Sequence, residues 1–247
     1  MSLKKLHEGA IFVADSHYAP WRIPFIDFLR AVENETVKTT QLILMGDNCD
    51  LLFGPVSETV LLNQELITLL NALSKKIEIL YLEGNHDFRL SPVFPNIIIV
   101  PRNHQPFMMV YGSQKIALLH GDLGVTWGYE VYTALIRNRP LLYGLNLINN
   151  IFGGIIIKWL SRDMQGKNHC KKIENFETIA HRHSGEKWIN KCDIVIEGHY
   201  HQNKSFDFET YRYCNLGAFA CNERYYVVKS SQNQLILDEA LFSKEPE

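Results

Sequence analysis

Apolar and polar residues alternate along this chain in two rhythms. Short apolar runs at 10–14, 41–45, 77–82, 97–100, 107–111 and 115–119 have the length and side-chain character of buried strands. Further strands are predicted at 193–197 and 211–215, and a terminal hairpin at 225–229 and 234–238. Between the first strands the period lengthens to that of a helix. Pro24, Phe25, Phe28 and Leu29 mark a helix over 22–33, and Val60, Leu61, Ile67, Leu70 and Leu73 a long amphipathic one over about 57–74. Early βαβ units followed by antiparallel pairs predict a mixed α/β sandwich.

Residues 123–190 depart from that alternation. They read mostly as helix and hold an apolar run from Leu141 to Leu160, close to the roughly 20 residues needed to cross a bilayer. Asn146, Asn149, Asn150, Gly153 and Gly154 interrupt its middle, and Arg137, Arg139, Lys158 and Arg162 flank it. The expectation is a helical insertion that acts as a lid. It touches a membrane surface or grips an apolar substrate, or else packs on the core as a hairpin. Leu141, Leu145, Ile148, Phe152, Ile155 and Trp159 fall at helical spacing as one stripe, which makes Phe152 and Ile155 candidate substrate contacts. Residues 1–247 are read as one domain, with 123–190 inserted as a cap.

Composition narrows the class only a little. At 46% hydrophobic and 21% charged the chain is too apolar for disorder, and its net charge of −2 gives no global reason to expect nucleic acid. The five cysteines, 49, 170, 192, 214 and 221, are odd in number and contain no C-x-x-C pair. With no secretory signal at the N-terminus, a reducing cytoplasm is expected. Oligomeric state is left open.

The chemistry lies where the strands end. Ile11–Ala14 runs into Asp15-Ser16-His17, and Leu42–Met45 into Gly46-Asp47-Asn48-Cys49-Asp50. Ile79–Glu83 runs into Gly84-Asn85-His86-Asp87, Ile116–Leu119 into His120-Gly121-Asp122, and Ile194–Glu197 into Gly198-His199-Tyr200-His201. In open α/β sheets ligands gather outside such carboxyl ends. Residues i and i+2 of a strand share a side, so Asp15 with His17, and His199 with His201, can reach one ion together. Oxygen and imidazole donors without paired cysteines suit manganese, iron or zinc rather than calcium. Seven donors are too many for one tetrahedral ion. They fit a pair about 3.5–4 Å apart, which supplies hydroxide at neutral pH and neutralises phosphate charge.

These five clusters, in this order, resemble the motif series of the calcineurin-like metallophosphoesterases over residues 15–201. The resemblance implies that family's sandwich of two mixed β-sheets flanked by helices. It implies two divalent ions, manganese first, with iron or zinc as alternatives. By resemblance, Asp15, His17, Asp47 and His201 hold the first ion. Asp47 bridges, and Asn85, His120 and His199 complete the second. His86 corresponds to the phosphate-contacting histidine, and Asp50 to the carboxylate that orients it. Asp122 is a candidate substrate contact or a brace for the His120 loop, and Arg89 a phosphate contact or a surface ion pair. Asp87 is expected to brace its loop. His169, His181 and His183 are expected on a polar helix face.

A narrower resemblance is to the UDP-2,3-diacylglucosamine pyrophosphatases of lipid A synthesis. It rests on Asn85-His86-Asp87-Phe88, on the apolar insertion after Asp122, and on Asn215-Leu216-Gly217-Ala218-Phe219. It implies cleavage of a nucleotide-linked glycolipid to an acylated sugar 1-phosphate and UMP, by a cytoplasmic protein peripheral to the inner membrane. His86, Glu197 and Tyr200 depart from it, standing where that group has Arg, His and Thr. The pair Asp50–His86 instead favours an alternative, a phosphatase or phosphodiesterase acting on a soluble nucleotide or other phosphoester. A non-catalytic scaffold of the same fold is the third reading, and it has no physical need of seven donors.

Overall fold

The computed structural model describes residues 3–124, 126–232 and 234–242. The N-terminal half contributes strands β1 (Lys4–Lys5), β2 (Ile11–Val13), β3 (Gln41–Leu44), β4 (Leu52–Phe53), β5 (Glu78–Leu82), β6 (Asp87–Phe88) and β7 (Ile98–Val100). Then come β8 (Phe107–Tyr111), β9 (Gln114–Leu119), β10 (Ile194–Glu197), β11 (Lys204–Asp207), β12 (Arg212–Asn215), β13 (Arg224–Ser231) and β14 (Gln234–Leu241). Two six-stranded sheets form, ordered β14-β13-β2-β3-β5-β7 and β1-β8-β9-β10-β12-β11, with β4 and β6 a separate pair. Each sheet contains a parallel run: β2, β3, β5 and the edge strand β7 in one, and β9, β10 and β12 in the other. Their carboxyl ends therefore meet at one edge of the sandwich.

Strand parity sets the layers. Phe12, Ile43, Leu80, Leu118 and Ile196 face inward and fill the space between the sheets. Their neighbours Ile11, Val13, Leu42 and Leu44 face outward, under the helices α1 (Pro24–Glu33) and α3 (Gln64–Leu73). On the other sheet Ala117, Leu119, Val195 and Tyr213 pack under α7 (Phe176–Ala180). Each large apolar side chain so buried contributes about 1.5–3 kcal/mol.

The expected long helix over 57–74 is two helices, α2 (Ser57–Leu62) and α3. Asn63 breaks it, because its amide reaches back to the carbonyls of Leu51 and Thr59. Leu61 is consequently exposed rather than core.

The segment between β9 and β10 is helical, as expected, with α4 (Trp127–Ile136), α5 (Arg139–Ile151) and α6 (Ile155–Gln165). The stripe read as one helix face is divided between two helices. Gly153 and Gly154 take left-handed φ values of 63° and 82°, and α5 meets α6 at 99°. Among the described residues no single helix is long and apolar enough to cross a membrane. Leu142 and Ile157 pack on Val56 and Phe88 of the body. Trp127, Leu147, Ile151, Phe152, Ile155 and Trp159 are exposed. Cys170 and Cys221 are joined in a disulfide that no spacing motif had signalled, and Cys49, Cys192 and Cys214 are buried free thiols. The final short helix, α8 (Phe219–Asn222), is pinned where Phe219 N–H donates to Ala14 O and Phe219 packs edge-on to Phe25 and Phe28.

Candidate metal centre

The donors sit one to four residues beyond the strand ends, in tight turns rather than on the strands themselves. Asp15, His17, Asp47, His199 and His201 all have φ between 46° and 63°. That left-handed conformation is costly for residues with a Cβ, and it concentrates at functional sites. It folds each chain end back so that side chains from both sheets converge. Two glycines let them approach: a Cβ on Gly84 would lie 2.2 Å from Asp47 Oδ1, and one on Gly198 2.7 Å from Asp15 Oδ2.

The predicted first-site residues Asp15, His17 and His201 form one group whose ligand atoms lie within 4.8 Å of one another, and Asp47, His120 and His199 form a second. His201 Nε2 is 3.1 Å from Asp15 Oδ1. His120 Nε2 is 3.3 Å from both Asp47 Oδ2 and Asn85 Oδ1. His17 Nε2 is buried and has no protein partner. Three histidines have Nδ1 against a main-chain carbonyl: His120 against Met45 at 3.0 Å, His201 against His169 at 2.5 Å, and His86 against Asp50 at 2.9 Å. A carbonyl only accepts, so Nδ1 carries the proton in each. That leaves Nε2 of His201, facing Asp15, and Nε2 of His120, facing Asp47 and Asn85, as the atoms that could bind an ion among those oxygens. His17 Nδ1 instead meets a carboxylate, Asp50 Oδ1, at 3.0 Å.

The electrostatics fit cations. Burial works to raise the Asp47 carboxyl, but the charges of His120 and His86 outweigh it and hold it well below its ordinary value. For His120 burial works downward, and the Asp47 carboxylate outweighs it and raises the imidazole well above the usual range. Positive charge is thus favoured beside Asp47. Burial, then the nearby charge of His120, presses His199 down to about 4, which keeps it neutral and able to ligate.

Asp87 braces the loops, as expected. It is fully buried and accepts from the amides of Asp47, Asn48 and Gly84 and from the Tyr81 hydroxyl, at 2.6–3.0 Å, and from Cys49 N–H at 3.3 Å. Asn215 braces the last motif, donating to the carbonyls of Glu197 and Gly198 while accepting from Gln202 N–H.

Asp50 differs from its expected role. Its main-chain oxygen holds His86, while its carboxylate turns inward to His17 and to Arg22 Nη1 at 3.1 Å. The turn at 46–50 is tied to Tyr18 by main-chain bonds, and this aims the side chain away from His86. Asp122 is completely buried, with Oδ2 accepting from Arg102 Nε at 2.8 Å and Oδ1 left without a protein partner. Arg89 makes no ion pair among the described residues; its guanidinium donates twice to the Arg137 carbonyl, tying the insertion to the Asn85–Phe88 loop. Phe152 and Ile155 are 65% and 60% exposed at the α5–α6 elbow, so neither lines an enclosed cleft. Two residues went unforeseen. Arg22, read only as helix, clamps His17 O and Asp50. His169, expected on a polar helix face, lies in the site, its ring 3.9 Å from that of His17.

Residues 10–203 match the family model described as calcineurin-like phosphoesterase. The chain is 22% identical over 200 residues to a UDP-2,3-diacylglucosamine hydrolase of Vibrio atlanticus (strain LGP32), which covers 80% of this chain and 82% of that protein. It is 30% identical over 204 residues to a protein of the same name from Psychromonas ingrahamii, covering 78% and 80%. Among solved structures, a predicted phosphoesterase from Streptococcus pneumoniae TIGR4 aligns with a TM-score of 0.45 at 14% identity, over 95% of this chain and 89% of that one. The family match begins at β2 and ends just past His201, so it encloses both donor groups and the strands β2, β3, β5, β9 and β10 that lead into them. The chain belongs to the calcineurin-like phosphoesterase family.

Proposed function

We propose that this protein hydrolyses the pyrophosphate of UDP-2,3-diacylglucosamine, releasing an acylated sugar 1-phosphate and UMP at the cytoplasmic face of the inner membrane. The observation that carries this reading is the apolar face of α4–α6. It is left exposed while the same insertion is bound, through Arg89, Arg137 and Gly84 O, to the loop that bears Asn85 and His86. A surface of that kind needs an apolar counterpart, and acyl chains or a bilayer surface provide one. The relatives' names support the same substrate.

Asp15, His17, Asp47 and His201 would hold one ion and Asp47, Asn85, His120 and His199 the other, with manganese as the first choice. When bound, such a pair lowers the pKa of water and offsets charge on phosphate oxygens. His86, its Nδ1–H held by Asp50 O, would in its protonated form donate Nε2–H to the phosphate or to the leaving oxygen. Asp50 and Arg22 would keep His17 in register.

A second reading, a soluble nucleotide or other phosphoester, draws on a cavity of about 690 Å³ beside the insertion, lined by Arg89, Arg102, Arg137 and Arg139 with Glu83 and Glu130. One assay separates the two. With Mn²⁺, the diacylated nucleotide sugar should be cleaved with a kcat/KM more than about tenfold above its deacylated counterpart, since two buried methylenes at about 0.8 kcal/mol each suffice. Phe152→Asp with Ile155→Asp should raise KM for the lipid and leave a small phosphodiester unaffected. Equal rates for acylated and deacylated substrates would favour the soluble phosphoester.

A further inference from the structure

One histidine from the insertion lies inside the metal centre and belongs to none of the five motif clusters. His169 follows α6 by four residues, and its side chain is only 9% exposed. Its carbonyl takes the Nδ1 proton of His201, the service that Met45 O performs for His120. Its ring lies over the His17 ring at 3.9 Å between centroids and 39° between planes. Its Nε2 is buried without a hydrogen-bond partner and stands 3.9 Å from Asp50 Oδ1, the atom that already holds His17 Nδ1. The next residue, Cys170, is bonded to Cys221 in α8, whose first turn is pinned to Ala14 and Asp15 by main-chain hydrogen bonds.

We infer that His169 is a positioning residue for the first metal site. It sets the orientation of two proposed ligands, His17 through its ring and His201 through its carbonyl, and the Cys170–Cys221 bond holds it there. Among the described residues the second site takes its orienting hydrogen bonds elsewhere: His120 is set by Met45 O, and the His199 amide by the Asp15 carboxylate. The insertion thereby does more than face substrate, because the turn that follows α6 closes one wall of the metal centre. Partners that orient a ligating histidine typically change metal affinity by about 10–100-fold.

The inference rests on the two-metal reading, and a titration of the metal-stripped full chain with Mn²⁺ separates their failures. Wild type should take up two ions. His169→Ala should weaken one of them by about 10–100-fold and leave the other at its wild-type affinity. At one equivalent of Mn²⁺ its electron paramagnetic resonance spectrum should be that of a single isolated ion. Cys170→Ser with Cys221→Ser, which keeps the ring but frees the segment, should give the same split. His169→Phe, which retains a flat ring against His17, should recover most of the loss and guards against a variant that fails to fold. Two wild-type affinities in both His169→Ala and the cysteine double variant would overturn the inference. So would equal weakening of both sites, which would mark His169 as part of the general fold. A wild type that binds no Mn²⁺ would instead overturn the two-metal reading beneath it.

Discussion

Replacing Asp87 should take the metal centre apart without touching a ligand. Its two oxygens divide the work: Oδ1 accepts from Asp47 N–H and Gly84 N–H, and Oδ2 from Asn48 N–H, Cys49 N–H and the Tyr81 hydroxyl. Asparagine keeps one acceptor. With its oxygen on the second set, its amide hydrogens confront the Asp47 and Gly84 amides; Gly84 N–H keeps the main-chain oxygen of residue 87 at 3.1 Å, so the buried Asp47 donor is the one left unsatisfied. At about 1–3 kcal/mol for that donor, Asp87→Asn should lose about 1–3 kcal/mol. Asp87→Ala orphans at least four donors and should lose about 4–12 kcal/mol, much of the roughly 5–15 kcal/mol that holds a domain folded. The released turn carries Asp47 in its left-handed conformation, so metal should be lost along with stability. Urea unfolding followed by circular dichroism, with metal content measured on the same samples, tests both. An Asp87→Asn protein within about 0.5 kcal/mol of wild type and holding full metal would refute the argument.

His86→Ala should retain both ions and lower kcat by about 10²–10⁴-fold, the scale of a positioned acid or electrostatic group; near-normal turnover would remove His86 from the chemistry. Asp50→Asn should act differently, because its carboxylate serves His17: first-site Mn²⁺ affinity should fall about 10–100-fold, with turnover at saturating metal much less affected, as calorimetric titration would read. Burial works to raise the Glu197 carboxyl, but Arg182 and His183 outweigh it and hold it below its usual 4.5. A folded pKa below the unfolded one adds stability that is complete above about pH 4.5 and is lost as pH falls through the folded value. Thermal melts from pH 7 down to pH 3 should therefore show a steeper fall for wild type than for Glu197→Gln, and parallel curves would contradict the assignment.

The sandwich was legible because its strands are short, apolar and abruptly ended by Gly, Asp and His, so Ile11–Val13, Gln41–Leu44 and Ile194–Glu197 lie within a residue of their expected bounds. The edge strand Lys204–Asp207 was not legible. Its residues are mostly exposed, so no apolar alternation marks it. Six candidate donors were visible through the strand-end pattern and Asn85 through the family resemblance, and the seven lie together in space. Their left-handed turns were not visible, since Asp and His give no signal of φ when they stand where glycine is usual. The Asp50 side chain was assigned to His86 because sequence carries no information on which of its oxygens, main-chain or carboxylate, faces a neighbour. His169 and Cys221 were missed for a related reason. His169 reaches the site through tertiary contact with His17, 152 residues earlier, and Cys221 is brought to Cys170 in the same way across 51 residues.

The metal centre draws on both termini of the matched region: the Asp15 carboxylate accepts from the His199 amide across 184 residues of chain. Closing a loop of that length is entropically unfavourable, and contacts so distant in sequence form late in folding. During synthesis the first four motifs leave the ribosome well before the fifth, so competent metal binding awaits almost the whole chain. A cation held there by Asp15 and His17 from one sheet and His201 from the other would act as a cross-link that only the folded form offers. At a free concentration one hundred times its dissociation constant it adds about 2.7 kcal/mol to stability. Melting temperature should therefore report metal supply, and a starved cell would hold this protein in a looser, more protease-sensitive state.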